Sequence, residues 1–483
     1  MPDLRPVLFI VGAALLGLAA IMVLPAAVDS FDGSPDWRAF LTALAITAAF
    51  GGVLVLGFRQ PRATGLTARE GFVLTVLAAL ALTLFGALPF MLSSARLGFT
   101  DAFFEAMSGL TTTGSTVLTH LDTMSHGLLL WRALLHLIGG IGAVLMAVAI
   151  LPVLRIGGMH LFRTESSDKL ERIRPRMSQV TALLMAVYFG LTALCVVALL
   201  AAGMDPFDAI CQAMATVSTG GFSTHDASIG FYGSPAIEGI IALFMILGGS
   251  TFLLLARAVE GDWRGLWRDV QLRWYLTYIA LFVLAIALWQ IAVDGRPALS
   301  AIRASLFNVV SLATTTGFVS ENYALWGTLP VVAFMMLYFV GGCTGSPAGG
   351  LKVFRFCVLG NAAHWQLRHL VHPHRMLPLT YNGQPIGDEV LRSVFCFVAF
   401  YIACFALLAI AVAACGVDLV TSLSGVAQAL GNVGPGLGHL IGPGGSYAVL
   451  PSGAKWLLAL AMLLGRIEVL TVLVLFSPTF WRG

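Results

Sequence analysis

Hydrophobic residues in this chain come in runs of about twenty, divided from one end to the other by short polar or glycine-bearing stretches. A helix of that length crosses the hydrocarbon core of a bilayer. The pattern predicts ten spanning helices. The first two cover 7–27 and 38–58. The other eight pair around four shorter segments: 70–92 with 127–154, 178–202 with 236–257, 273–293 with 329–356, and 390–414 with 454–477. The first run, Leu8 to Leu24, lacks a convincing cleavage site and reads as a retained span rather than a signal peptide.

Composition agrees with the pattern. Of 483 residues, 58% are hydrophobic and only 11% charged, whereas a soluble domain keeps far more charge on its surface. A net charge of +3 gives no electrostatic footprint for nucleic acid. The seven cysteines form no CxxC pair and no zinc-ligand spacing. Cys195, Cys396 and Cys404 lie inside apolar runs and read as small buried hydrophobes.

The charges that remain set an orientation. Arg59, Arg62 and Arg69 follow the second helix; Arg155, Arg163, Lys169, Arg172, Arg174 and Arg176 follow the fourth. Arg257, Arg264, Arg268 and Arg273 mark the next loop on that side, and Lys352, Arg355, Arg368 and Arg375 the one after. All fall on one side, which the positive-inside rule makes cytoplasmic. The first loop on the other side is acidic, with Asp29, Asp32 and Asp36. Both termini are then expected in the cytoplasm, with the four inter-pair segments outside.

Those four segments repeat one another. They read Asp101-AFFEAMSGLTTTG-Ser115, Asp208-AICQAMATVSTGG-Phe222, SLFNVVSLATTTGF ending at Phe318, and TSLSGVAQALGNVGPG ending at Gly436. Without gaps, Gly114, Gly221, Gly317 and Gly434 share one column. Each copy is a helix-compatible stretch too short to span, followed by a Thr/Ser/Asn-Gly turn, and so is expected to be re-entrant. Irregular backbone at that depth must be buried in protein or line a water-filled cavity. A dehydrated cation is one partner its carbonyls can share, and glycine permits the backbone angles that aim them at an axis. Close helix packing by glycine is the competing reading for any single loop. The expected fold class is an all-α polytopic membrane protein with two N-terminal helices plus four pseudo-repeated helix–pore loop–helix units around one pore. The units divide as 1–68, 69–160, 161–262, 263–365 and 366–483.

Along essentially its whole length the chain resembles the TrkH/TrkG family of bacterial potassium uptake proteins, within a superfamily that includes KtrB and the Trk/HKT proteins. The marks are TTTG at 111–114, STGGFSTHD at 218–226, TTTGF at 314–318 and GNVGPG at 431–436. The two N-terminal helices favour TrkH/TrkG over KtrB. The resemblance implies a selectivity filter with potassium on the carbonyls of Thr112, Thr113, Thr219, Gly220, Thr315, Thr316, Asn432 and Val433, beside the glycines Gly114, Gly221, Gly317 and Gly434. The fourth loop departs from the Thr-rich pattern, so the filter is only pseudo-fourfold. Some eukaryotic members carry serine at the first glycine, a change linked to sodium permeation; all four positions are glycine here, which points to potassium.

Two more features fit. The run Gly341-GCTGSPAGG-Leu351 should break a helix, because its glycines and Pro347 weaken it. In the family the matching stretch is an intramembrane gate, which here involves Gly341, Gly342, Thr344, Gly345, Ser346, Gly349 and Gly350. Ser346-Pro347 stands where Ser-Thr is expected, which bears on the mobility of the loop; a packing kink is the alternative. Arg466, near the middle of the last helix, is an intramembrane charge of the kind that faces a pore or a partner. The family places an arginine there as a barrier beneath the filter; the alternative is a structural ion pair with a carboxylate.

Asp101 and Asp208 read as caps of the pore helices, and Glu105 as a candidate to orient the first loop. His364, His369, His372 and His374 match no strong metal spacing. The resemblance implies a homodimer in the lipid bilayer and a cytosolic TrkA-like ring that binds nucleotides. No dinucleotide or P-loop motif occurs in this chain, so nucleotide control is assigned to the partner. No nucleophile–base pair supports an enzyme. A secondary K+/H+ or K+/Na+ symporter with alternating access remains the alternative function.

Overall fold

The computed structural model describes residues 3–59, 66–146, 177–372, 379–382 and 384–482. The basic loop 155–176, Arg62, His374 and Arg375 lie outside the described residues. The first predicted span is Leu4–Ile21 continued by Val23–Phe31, and the second is Trp37–Gly57. Four units follow, each with an outer helix, a short pore helix and an inner helix. The outer helices are Ala68–Gly86, Met177–Ala201, Val270–Ala292 and Asp388–Ala414. The pore helices are Phe99–Leu110, Pro206–Val217, Ala298–Ala313 and Leu419–Gly431. Strand is confined, among the described residues, to the two-residue pair Thr380–Tyr381 with Gln384–Pro385.

The outer helices are apolar on all sides, as lipid requires: Leu281, Leu284 and Leu288 of the third and Ile402, Leu407 and Ile410 of the fourth are exposed. Cys396, expected in the interior, sits on such a face and is exposed, while Cys195 is buried. Periodicity could not separate these cases, since a lipid-facing cysteine and a core cysteine sit in equally apolar runs. The first outer helix begins with a capping box: Thr67 N–H donates to Glu70 and Glu70 N–H to Thr67 Oγ1.

Inner helices are where the structure departs most from the sequence reading. The first, His126–Leu145, is regular over its described length. The second was expected unbroken over 236–257, but stops at Gly248 and resumes at Phe252 with a bend of 103°. The fourth, expected over 454–477, stops at Arg466 and resumes at Val469, bent by 108°. The third breaks as its glycines require, between Thr328–Leu337 and Val353–Val371. Gly248-Gly249 supplies a weak point in the second helix, and Glu468, at φ 68°, turns the chain in the fourth.

The N-terminal pair is fastened to the first unit on the side of its acidic loop. Gly127 N–H donates to Asp29 (2.7 Å), His126 meets Asp32 (2.6 Å), and Asp36 accepts from Ser94 N–H (2.8 Å), Ser94 Oγ (2.7 Å) and Ser125 Oγ (3.0 Å). These carboxylates collect at the N-terminal end of the first inner helix, where backbone N–H groups lack intrahelical partners. Asp36 is buried and accepts three hydrogen bonds, all of which its replacement removes. Asp36→Ala is expected to cost about 1–3 kcal/mol, read as a lower midpoint of thermal unfolding in detergent; an unchanged midpoint would show that the clasp contributes nothing.

Candidate pore and its supporting residues

Each pore helix ends in the same way. The backbone turns left-handed at Thr112 (φ 49°), Thr219 (52°), Thr315 (58°) and Asn432 (52°), and again two residues on at Gly114, Gly221, Gly317 and Gly434. Around the first turn the closing hydrogen bonds repeat. Thr113 N–H donates to Ser108 O, Gly220 to Ala215, Thr316 to Ser311 and Val433 to Gln428, all at 2.8–2.9 Å. This is the 6→1 bond of a Schellman ending, in which glycine usually takes the left-handed position. Threonine there costs about 1–2 kcal/mol relative to its right-handed backbone, strain that the surrounding structure must hold.

The four turns meet in cyclic order. A Cβ built on Gly114 would collide with the carbonyl oxygen of Gly220, one on Gly221 with that of Thr316, one on Gly317 with that of Val433, and one on Gly434 with that of Thr113. Each loop thus packs its glycine against the carbonyl of the next, and the fourth closes on the first. All four glycines line one vestibule of about 250 Å³. Asn432 in the fourth loop donates to Thr113 Oγ1 (3.0 Å) and to the Met462 carbonyl (2.9 Å), and Ser115 and Tyr447 both donate to the Gly434 carbonyl (2.8 and 2.9 Å).

A second column of residues supports the chain beyond each glycine. Seven positions before the left-handed residue stand Glu105, Gln212 and Asn308. Glu105 accepts from Thr116 Oγ1, Val117 N–H and Arg132 Nε (all 2.9 Å at the nearer oxygen). Gln212 donates to Ser223 and Thr224, and Asn308 to Ser320 (2.9 Å). The fourth unit has Gly425 in that place and uses Ser424, which bonds Leu437. Of these only Glu105 was singled out from sequence. The signal for the others was one polar residue in the same column of otherwise apolar pore helices.

Asp101 and Asp208 do not cap the pore helices. Asp101 pairs with Lys455 (2.6 Å), and Asp208 takes His225 (2.9 Å), Tyr232 and Thr224. Asp205 and Asp418 are the acidic caps, bonding Phe207 N–H and Thr421 N–H. His225 also meets Asp122 (2.5 Å), which holds the Asp122 carboxyl below its usual value, chiefly through that side-chain hydrogen bond.

Beneath the ring lies segment 338–352. Gly349 N–H donates to Thr315 Oγ1 (2.7 Å), Cys343 N–H to the Gly249 carbonyl (2.8 Å), and Thr344 N–H to Gln271 (2.8 Å). A Cβ on Gly349 would collide with the Gly431 carbonyl, so the segment abuts the end of the fourth pore helix. Arg466 stands at the C-terminal end of its helix rather than mid-helix. It donates to the carbonyls of Pro347 and Gly139, the latter at 2.8 Å. Among the described residues no carboxylate pairs with it; Glu468 is taken by Arg355 (2.5 Å). The adjoining cavity, lined by Ser346, Gly349, Lys352, Arg466 and Glu468 among others, measures about 20 Å³, no more than one water molecule needs.

This is a multi-pass membrane protein of the pore-loop class, with four re-entrant units closed around one opening. The family model described as "TrkH: Cation transport protein" matches residues 37–482, and the chain belongs to that family. It is 42% identical over 479 residues to the Trk system potassium uptake protein TrkI of Halomonas elongata, covering 99% of this chain and 97% of the relative. It is 39% identical over 484 residues to TrkH of Escherichia coli, covering 99% of each. The crystal structure of the potassium transporter TrkH from Vibrio parahaemolyticus superposes with a TM-score of 0.92 at 34% identity, covering 99% of this chain and all of that one.

Removing the Thr315 hydroxyl tests the tie between ring and segment. Thr315→Val leaves Gly349 N–H buried without its acceptor, at a cost of about 1–3 kcal/mol. The expected result is faster hydrogen exchange across 341–350 than in the parent; equal exchange would mean the tie holds nothing.

Proposed function

We propose that this chain takes up potassium across the bacterial inner membrane through the ring formed by its four loops. The observation that carries the reading is the cyclic contact of Gly114, Gly221, Gly317 and Gly434 with the carbonyls of Gly220, Thr316, Val433 and Thr113. Alternating backbone handedness through each loop suits carbonyls turned to one side, where they replace the hydration shell of a cation. The coordinating carbonyls are those of Thr112, Thr113, Thr219, Gly220, Thr315, Thr316, Asn432 and Val433. The names of the relatives, potassium uptake proteins of Trk systems, support the choice of ion.

Segment 338–352 serves as the gate, through Gly341, Gly342, Thr344, Gly345, Ser346, Gly349 and Gly350. Its bonds to Thr315 and Arg466 support a closed position in which one charged side chain both fastens the loop and repels cations. A cytosolic TrkA-like nucleotide-binding ring moves the gate, the chain works as a homodimer, and both termini face the cytoplasm. Three broken inner helices favour the second reading, an ion-coupled symporter with its site between broken helices. Unitary currents support the pore; a fixed coupling ratio supports the carrier.

Rescue of a potassium-uptake-deficient bacterium, with and without the TrkA-like partner, tests the function. Gly221→Ser and Gly317→Ser are expected to abolish rescue or change ion preference, since a side chain at either position strikes a neighbouring carbonyl; parental behaviour in both sinks the filter. Arg466→Ala is expected to raise flux or weaken cation selectivity, and unchanged transport on both counts would remove Arg466 from the pathway.

A further inference from the structure

The geometry points to Arg132 and His136, one turn apart on the inner helix of the first unit, as positioning residues that set ion selectivity by gripping the second filter strand. The inference rests on the filter reading above. Both side chains are buried, and between them they hold strand 220–223. Phe222 N–H donates to His136 Nε2 (3.3 Å), and the two rings meet edge to face with centroids 4.2 Å apart. The Arg132 guanidinium lies 4.1 Å from the centroid of the same phenyl ring, while Nη1 donates to the Ser223 carbonyl (2.7 Å). Nε of the same arginine binds Glu105, which holds the first strand. A Cβ on Gly220 would collide with the His136 ring. Gly220 contributes its carbonyl to the ring, so the imidazole braces the backbone directly behind a coordinating oxygen.

The other units have no such clamp. The glycines Gly139, Gly248 and Gly465 each pack against the carbonyl two residues before the left-handed turn of their pore helix, that of Leu110, Val217 and Leu430. Counted back from them, the places of Arg132 and His136 are taken by Ile241 and Met245 in the second unit and by Leu458 and Met462 in the fourth. In the third the helix ends at Leu337. At these two inner-helix places the second and fourth units carry apolar side chains, so only one quadrant of the pseudo-fourfold ring is gripped there by polar ones. A neutral imidazole that accepts at Nε2 carries its proton on Nδ1, so the grip on Phe222 needs an acceptor and not merely a ring of that size.

The test is potassium and sodium flux through the full-length chain in proteoliposomes. His136→Leu removes the acceptor at similar volume and is expected to lower the potassium-to-sodium flux ratio about tenfold, the scale of one lost buried hydrogen bond. His136→Gln, whose amide oxygen can accept, is expected to recover most of it, and Met245→Leu to keep the parental ratio. A folded His136→Leu protein with the parental ratio overturns the assignment, as does a His136→Gln protein no better than His136→Leu. Should the leucine variant not fold, Phe222→Leu decides: a fallen ratio supports the clamp and a parental one ends it. Gly221→Ser is measured alongside. If it alters the ratio while His136→Leu does not, only the clamp is wrong; if it and Gly317→Ser are both parental, the filter reading has failed.

Discussion

A helix that stops halfway through a bilayer leaves its last carbonyls without water to bond. The whole architecture answers that constraint four times. Each pore helix closes its end with a left-handed residue and a backbone bond to the fifth residue back. The next backbone carbonyl then faces the glycine of the adjoining loop. Irregular backbone that would be intolerable against lipid becomes the wall of a shared opening. The outer helices, apolar all round, supply the lipid face that lets the interior be polar.

Support for this strained ring comes from layers behind and below it. Behind, Glu105, Gln212 and Asn308 hold the returning strands by side-chain bonds. Below, segment 338–352 and Arg466 fill the space that three broken inner helices leave open. Arg466 illustrates how position decides role: with no carboxylate partner among the described residues, it satisfies itself on two carbonyls from different units, Pro347 and Gly139. Glu468, two residues away in sequence, turns to Arg355 instead because the chain reverses between them.

Much of this was legible from residues alone. The span pattern located the two N-terminal helices and the four outer helices, though not the breaks in the second and fourth inner ones, and the glycine column placed four loops that the structure brings together. The break at 341–350 followed from its glycines and proline. Other features were hidden for physical reasons. The bends after Gly248 and Arg466 fall inside windows that still pass as apolar spans, so hydropathy alone does not mark them. Asp101 and Asp208 looked like caps because they precede helical stretches, but capping depends on where the helix starts, and Asp205 and Asp418 were better placed. The second-loop partners of Arg132 and His136, Ser223 and Phe222, lie 91 and 86 residues away, a separation over which periodicity carries no information.

The cyclic closure of the four loops also bears on how such a chain can have arisen and can change. Copies derived from one ancestral hairpin are ordinarily free to drift apart once duplicated. Here each copy's small residue makes room for its successor's backbone, and the last makes room for the first. A larger residue in any one copy must be answered by a withdrawal in the next, and that shift is passed round until it returns to its origin. Within this chain the four glycines are accordingly common to every copy, while the polar braces and the shapes of the inner helices differ from copy to copy.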